Sequence, residues 1–278
     1  MILDTLPVTT AIGSPMRRPR GGTRLLNTHI DAITWPDALA LIGQWAHERK
    51  SSYVCISNVH VLMSAAADED FRRVINEADL ATPDGMPLAW SLRARGFARQ
   101  ERINGPDLMW KYCERAAANG SRIYLYGSTP LTLQRLSARL RKAFPALKIA
   151  GIYSPPFRAL TPEEDAKIVA DINRSGAGVV FVGLGCPKQE LWMAAHRGAI
   201  DAVMIGVGAA FDYHAGTLRR APLWMQRRGL EWLHRLASDP RRLWRRYVVT
   251  NTLFVLRVGV PLVCHKAILS SRKWLGLR

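Results

Sequence analysis

A chain of 278 residues with 48% hydrophobic and 22% charged residues has a globular profile, which excludes a disordered or fibrous protein. The formal net charge is +17, so an anionic partner is implied: nucleic acid, anionic lipid or a phosphorylated substrate. No helix-turn-helix, zinc-finger or RNA-binding sheet signature is present, which ranks nucleic acid last.

The opening stretch, MILDTLPVTTAIGSPMRRPRGG, has its basic residues after its weakly apolar part and is broken by prolines. That is not the order of a signal peptide, and residues 1–23 read as a flexible lead-in. From there, strand and helix alternate. Short β-branched or apolar runs are YVCIS (Tyr53–Ser57), RIYLYG (Arg122–Gly127), LKIAGIYS (Leu147–Ser154), VVFVGLG (Val179–Gly185) and AVMIGVG (Ala202–Gly208). Between them lie helical stretches. Thr129-Pro130 supplies an N-cap and first helical residue, and Thr161-Pro162-Glu163-Glu164 has capping-box spacing. Strands separated by helices of about ten residues or more predict parallel pairing in a doubly wound α/β sheet. Ligands of such sheets bind beyond the carboxyl ends of the strands, where YGS, GLG and GVG lie.

Near Ala221-Pro222 the alternation stops, and a basic helical appendage is predicted from residue 217 to 278, after an α/β domain over 24–216. From Arg219 onward there are twelve arginines and two lysines against Glu231 and Asp239. Asp239-Pro240 restarts a helix. The most apolar segment, Tyr247–Cys264, is about long enough to span a bilayer, but Arg257 and Asn251 interrupt it. Basic residues flank it on both sides, among them Lys266, Arg272 and Lys273. This suits a segment lying on an anionic membrane face; the alternative is a buried terminal helix with a solvated flank.

Several constellations could carry chemistry. GLGCPKQE places glycines where a backbone can approach a phosphate, Lys188 at a helix start, and Gln189 within reach of a sugar or base. A tight surface turn explains the same residues. Asp84-Gly85 reads either as a turn or as a loop carboxylate acting as general base. Arg102 could pair a carboxylate or a phosphate, or form only a surface ion pair. Asp68-Glu69-Asp70 matches a metal-binding DxD in name, but no strand leads into it and a solvated helix surface is the simpler reading. Arg235, Arg242 and Arg246 share one face if the helix runs unbroken, with Arg245 beside them, and could clamp a diphosphate or only meet solvent and lipid. His60, His196, His214 and His234 have no metal spacing, and there is no GxSxG. The cysteines Cys55, Cys113, Cys186 and Cys264 are scattered, which predicts buried reduced thiols.

Read in order, SNVHVLMSA, ADLATPDGMPLAW, ERINGPDL, IYLYGS, VVFVGLGCPKQE, VGAAFDYHAGTLRRAP and GLEWLHRLASDPRRLWRRY resemble the WecG/TagA/CpsF family of bacterial glycosyltransferases. The resemblance covers about Ser52 to Tyr247. It implies a Rossmann-like parallel sheet with helices on both faces and a C-terminal appendage that meets the membrane. It implies inverting transfer from a UDP-sugar to a polyprenyl-diphosphate-linked sugar, with neither cofactor nor catalytic metal, at the cytoplasmic face of the inner membrane, as a peripheral (monotopic) protein. Residue by residue it makes Asp84 the base, and Asn58, Arg102 and Gln189 substrate ligands. It makes Arg235, Arg242 and Arg245 the holders of the acceptor diphosphate. Gly185 and Lys188, at the donor diphosphate, and Glu190 and Asp212, inside the matching segments, complete the expected substrate-binding set. One departure stands out: a threonine found in some members two residues before the asparagine is Ile56 here, beside Ser57. Partly for that reason glucose, as in xanthan-type exopolysaccharide assembly, is the expected sugar, with N-acetylmannosamine or its uronic acid as the alternative. A non-catalytic, membrane-surface nucleotide-binding protein is the alternative of another class. The oligomeric state, homo-oligomers included, is left open.

Overall fold

The computed structural model describes residues 21–262. Most of the expected lead-in, and Cys264, Lys266, Arg272 and Lys273 at the other end, lie outside the described residues.

The described chain begins with an antiparallel hairpin, β1 (Gly22–Leu25) and β2 (Thr28–Asp31). Its two turn residues, Leu26 and Asn27, both have positive φ, 49° and 64°, the twist that suits a two-residue hairpin loop. Then follow α1 (Trp35–His47), β3 (Ser52–Ser57), α2 (Val59–Ala67), α3 (Glu69–Glu77), β4 (Leu80–Pro83), α4 (Met86–Ala94) and α5 (Gly105–Asn119). The middle of the chain alternates: β5 (Arg122–Gly127), α6 (Pro130–Ala143), β6 (Lys148–Tyr153), α7 (Pro162–Ser175), β7 (Val179–Gly183), α8 (Lys188–Ala195) and β8 (Val203–Gly206). Helices α9 (Ala210–Ala215), α10 (Leu223–Arg227), α11 (Glu231–Ser238) and α12 (Pro240–Phe254) complete it, and α12 runs into a π-helical turn at Val255–Gly259.

Strands β3 to β8 form one sheet in the order β4-β3-β8-β7-β5-β6, with every pair parallel. Strand β3 is buried throughout, and successive side chains serve opposite faces. Val54 and Ile56 join Leu125, Phe181 and Ile205 under α1, α5 and α6. Tyr53 and Cys55 join Tyr126, Val180 and Met204 under α3, α7 and α8. The sheet is therefore covered on both faces, as the alternation predicts. Helix starts form where local caps predict them: Thr129 Oγ1 accepts from Thr132 N at 3.2 Å, and Thr161 and Glu164 form the reciprocal capping box.

A third, smaller core joins the two ends of the described chain. Leu25 and Ile30 of the hairpin, Leu62 and Met63 of α2, and Leu88 and Leu92 of α4 pack with Phe254 and Val258 from the C-terminal helix and its π turn. The buried Asp31 carboxylate also accepts the Ala81 N–H at 2.7 Å, which ties the hairpin to β4.

Among the described residues no helix is long and apolar enough to cross a membrane. Helix α12 instead exposes Trp244, Val248 and Val249 beside the exposed Arg241, Arg242 and Arg245.

Candidate active site

The carboxyl ends of the parallel strands face one side of the sheet, and two of them build the site. Strand β3 ends at Ser57, and Asn58 caps α2, its Oδ1 accepting from Val61 N at 3.1 Å. Beside it β4 ends at Pro83. The Asp84 N–H donates to the Ser57 carbonyl at 2.7 Å, so the two strand ends are fixed to each other. Gly85 follows with φ of 90°, a conformation that side chains rarely adopt, and α4 begins at once. The next loop runs alongside β4: Ile103 N donates to the Pro83 carbonyl at 2.9 Å, and Thr82 Oγ1 to the Ile103 carbonyl at 3.3 Å. Asn104 then caps α5. Arg102, just before these anchors, is thereby held beside Asp84.

The side chains form a short chain of charge. Arg102 Nε donates to Asp84 Oδ1 at 3.3 Å, and Arg102 Nη2 donates to Glu231 Oε2 at 2.6 Å. Glu231 is the first residue of α11. Asp84, Arg102 and Glu231 keep only 21%, 12% and 19% of their side-chain surfaces exposed. Dehydration pushes the Asp84 carboxyl above the usual carboxylate range; the Arg102 guanidinium opposes this and Glu231 adds to it.

These residues line a cavity of about 670 Å³. Its lining is polar at Asn58, His60, Asp84, Arg102, Glu231, Arg235 and Arg246, and apolar at Met86, Trp90, Leu230 and Phe254 among others. Burial, with Arg246 and Arg235 nearby, lowers His60 to about 4, so its imidazole is neutral at physiological pH. The His60 Nδ1 and Arg246 Nε atoms, on two residues of the cavity lining, are buried without a hydrogen-bond partner among the described residues. Orphaned polar atoms around one cavity are what a bound polar ligand would satisfy.

The appendage arginines differ from the one-face expectation. The helix does not run unbroken: at Asp239 the backbone turns (φ −147°, ψ 70°) and α12 starts afresh. Arg235 and Arg246 line the cavity, while Arg242 pairs with Asp239 at 2.6 Å in solvent. Arg245 lies over the exposed Trp244 ring, 5.3 Å from its centroid, and does not line the cavity. Arg246 is the cation that sequence reasoning left out of the expected binding set.

The GLGCPKQE loop lies apart from this cavity. Gln189, expected to meet a sugar or base, is buried and braces the loop, accepting from Gly185 N at 3.1 Å and donating to Glu190 Oε1 at 2.9 Å. Glu190 is fully buried, and dehydration raises its carboxyl. Gly185, Lys188, Gln189 and Glu190 are not part of the cavity wall. Lys188 is exposed at the first position of α8. Asp212, expected at the substrate, instead accepts from Thr217 Oγ1 at 3.1 Å and Thr132 Oγ1 at 3.5 Å, linking α9 to α6. The acidic triplet is a helix start: Asp68 caps α3, while Glu69 and Asp70 pair with Arg72 and Arg73 one turn on.

Glu190 allows a stability test. Its folded carboxyl holds a proton to higher pH than the unfolded one, near 4.3, so the stability it contributes is present at low pH. That stability is lost as pH rises, by ~1.4 kcal/mol per pH unit, until the folded group ionises. Glu190→Gln is expected to remove that slope, which thermal unfolding from pH 4 upward reads as a variant gaining on the parent. Parallel curves would mean that the buried carboxyl is not proton-linked.

The family model of the glycosyl transferase WecG/TagA/CpsF family matches residues 23–267. The chain belongs to this family. The match spans both the α/β sheet and the C-terminal helices, so WecG/TagA/CpsF membership applies to nearly all the described chain, and the protein is a glycosyltransferase. It is also similar to the N-acetylglucosaminyldiphosphoundecaprenol N-acetyl-beta-D-mannosaminyltransferase of Bacillus spizizenii. The two are 32% identical over 201 residues, covering 72% of this chain and 76% of the relative.

Proposed function

We propose that this WecG/TagA/CpsF glycosyltransferase moves N-acetylmannosamine, with inversion, from a UDP-activated donor to a hydroxyl of a polyprenyl-diphosphate-linked sugar. The observation that carries this reading is Asp84: a dehydrated carboxylate of raised proton affinity, on the wall of a cavity lined by both arginines and apolar side chains. Asp84 takes the proton of the acceptor hydroxyl as its oxygen bonds to the anomeric carbon. The bond from that carbon to the UDP phosphate oxygen breaks, and UDP leaves with the electron pair. Arg235 and Arg246 face the growing negative charge, and Lys188 offers a further cation at a helix start. The apolar lining residues suit the first units of a prenyl chain. The arginines and exposed apolar residues of α12 suit docking on an anionic bilayer, which we assign to the cytoplasmic face of the inner membrane.

The sugar follows the relative, whose name specifies an N-acetylmannosaminyl group on a polyprenyl diphosphate acceptor. Glucose, the sugar expected from the Ile56 departure, is the second reading. Ile56 is buried in the core, so that position carries no hydroxyl, and only Ser57 Oγ remains beside it.

Release of UDP by the purified full chain in nanodiscs tests this. The donors are UDP-N-acetylmannosamine, its uronic acid and UDP-glucose, each with and without a polyprenyl-diphosphate-linked sugar and with EDTA. Release from UDP-N-acetylmannosamine that needs the acceptor and survives EDTA is expected. Release from UDP-glucose alone would replace the sugar, and UDP binding without release from any donor would favour a non-catalytic protein.

A further inference from the structure

We propose that Glu231 is a positioning residue of the transfer reaction: from the C-terminal helices it draws the Arg102 guanidinium aside and leaves the Asp84 carboxylate able to accept a proton. This rests on the reading of Asp84 as the base.

The geometry is asymmetric. Arg102 makes its short contact, 2.6 Å, to Glu231 and only a long one, 3.3 Å, to Asp84. A guanidinium facing one carboxylate alone settles into two parallel hydrogen bonds, which hold that carboxylate ionised and make it a poor base. Here the second prong goes to a residue 129 positions away in the sequence. An acid in the first turn of a helix is also favoured by the helix dipole, so Glu231 could have been only a helix-start residue in solvent. It is instead largely buried and turned onto Arg102.

The other charges around Asp84 do not substitute for it. Arg235, also on α11, bears on Asp84 as a cation. Tyr213 of α9 is pushed up to about 12 by burial and stays neutral. From α2, His60 is neutral, and Arg246 of α12 is a second cation on the cavity wall. With Arg102, Arg235 and Arg246 all positive, Glu231 is the one other carboxylate among the described residues that line the cavity, and it keeps the surroundings of Asp84 from being wholly cationic.

The test is the pH profile of single-turnover transfer by the full chain in nanodiscs, comparing the parent with Glu231→Gln and Glu231→Asp. The base must be ionised, so the rate rises with pH through the Asp84 titration. Removing the Glu231 charge lowers that titration, so the acidic limb moves to lower pH. The plateau rate falls roughly tenfold as the base weakens. Donor affinity, read by UDP titration, stays within about twofold. Glu231→Asp, with its charge kept but its reach shortened, moves the limb part of the way and decides the matter if the glutamine variant does not fold. A parent-like limb and plateau in a folded Glu231→Gln protein overturns the proposal. A loss confined to the acceptor KM, with the limb unmoved, also overturns it, because that is the signature of a mere docking contact. Asp84→Asn separates the two readings. If it keeps parent turnover, the base assignment has failed. If it is inactive while Glu231→Gln is parent-like, only the positioning role has failed.

Discussion

Asp84→Asn is expected to lower turnover by about 10³-fold while donor affinity stays within about twofold, the loss typical of removing a general base. The amide has nearly the same shape and can still meet Arg102, so the loop between β4 and α4 keeps its fold. It cannot take up the acceptor proton. The loss therefore belongs in the rate of chemistry and not in binding, and a single-turnover measurement at saturating donor and acceptor separates the two. Equal losses in rate and in donor affinity would mean that Asp84 holds substrate and that another group removes the proton.

Arg102→Ala is expected to destabilise the protein by about 3 kcal/mol, the range for removing one partner from a largely buried ion network. Asp84 and Glu231 would face each other at the cavity with their shared cation gone. One of them must then take up a proton or draw in water. For a chain of this size the loss corresponds to a fall in Tm of about 5 °C. It should shrink toward acid pH, where the carboxylates are neutral in the parent and the variant alike. Adding Glu231→Gln to Arg102→Ala should recover part of it, because one uncompensated charge is removed. If the double variant is as unstable as the sum of the two single changes, the loss comes from the packing of the arginine stem.

Much of the fold was legible in the residues, for identifiable reasons. The strands β3, β5, β7 and β8 are apolar runs because parallel strands inside the sheet are covered on both faces, and β6, half-exposed at the edge, was legible from its β-branched residues. The caps at Thr129 and Thr161 are hydrogen bonds made within one turn. Strand β4 escaped notice because LATP is four residues long, lies at the sheet edge and ends in proline. The hairpin lay against the basic lead-in and its strands are equally short. In the site, Asp84 and Arg102 were legible as motif residues, but what joins them was not. Glu231 meets Arg102 across 129 positions, a pairing that no local pattern encodes. Arg246 was legible as a member of the basic face but not as the one beside Arg235 at the cavity, because the break at Asp239 turns Arg242 out to solvent. That Gln189 braces its own loop was not legible, because nothing in the string GLGCPKQE shows that the Gly185 N–H finds a partner four residues on.

The small core shared by the hairpin, α2, α4 and the end of α12 bears on how the enzyme is made. Leu25 and Ile30 leave the ribosome long before Phe254 and Val258. Contacts between such distant positions close late and slowly. Until they do, Asp84 and the strand ends can form, but the wall that brings Glu231, Arg235 and Arg246 to the cavity is missing. A nascent chain therefore cannot assemble the centre on the sheet alone, and a sugar nucleotide meets a complete site only after translation of the C-terminal helices is finished.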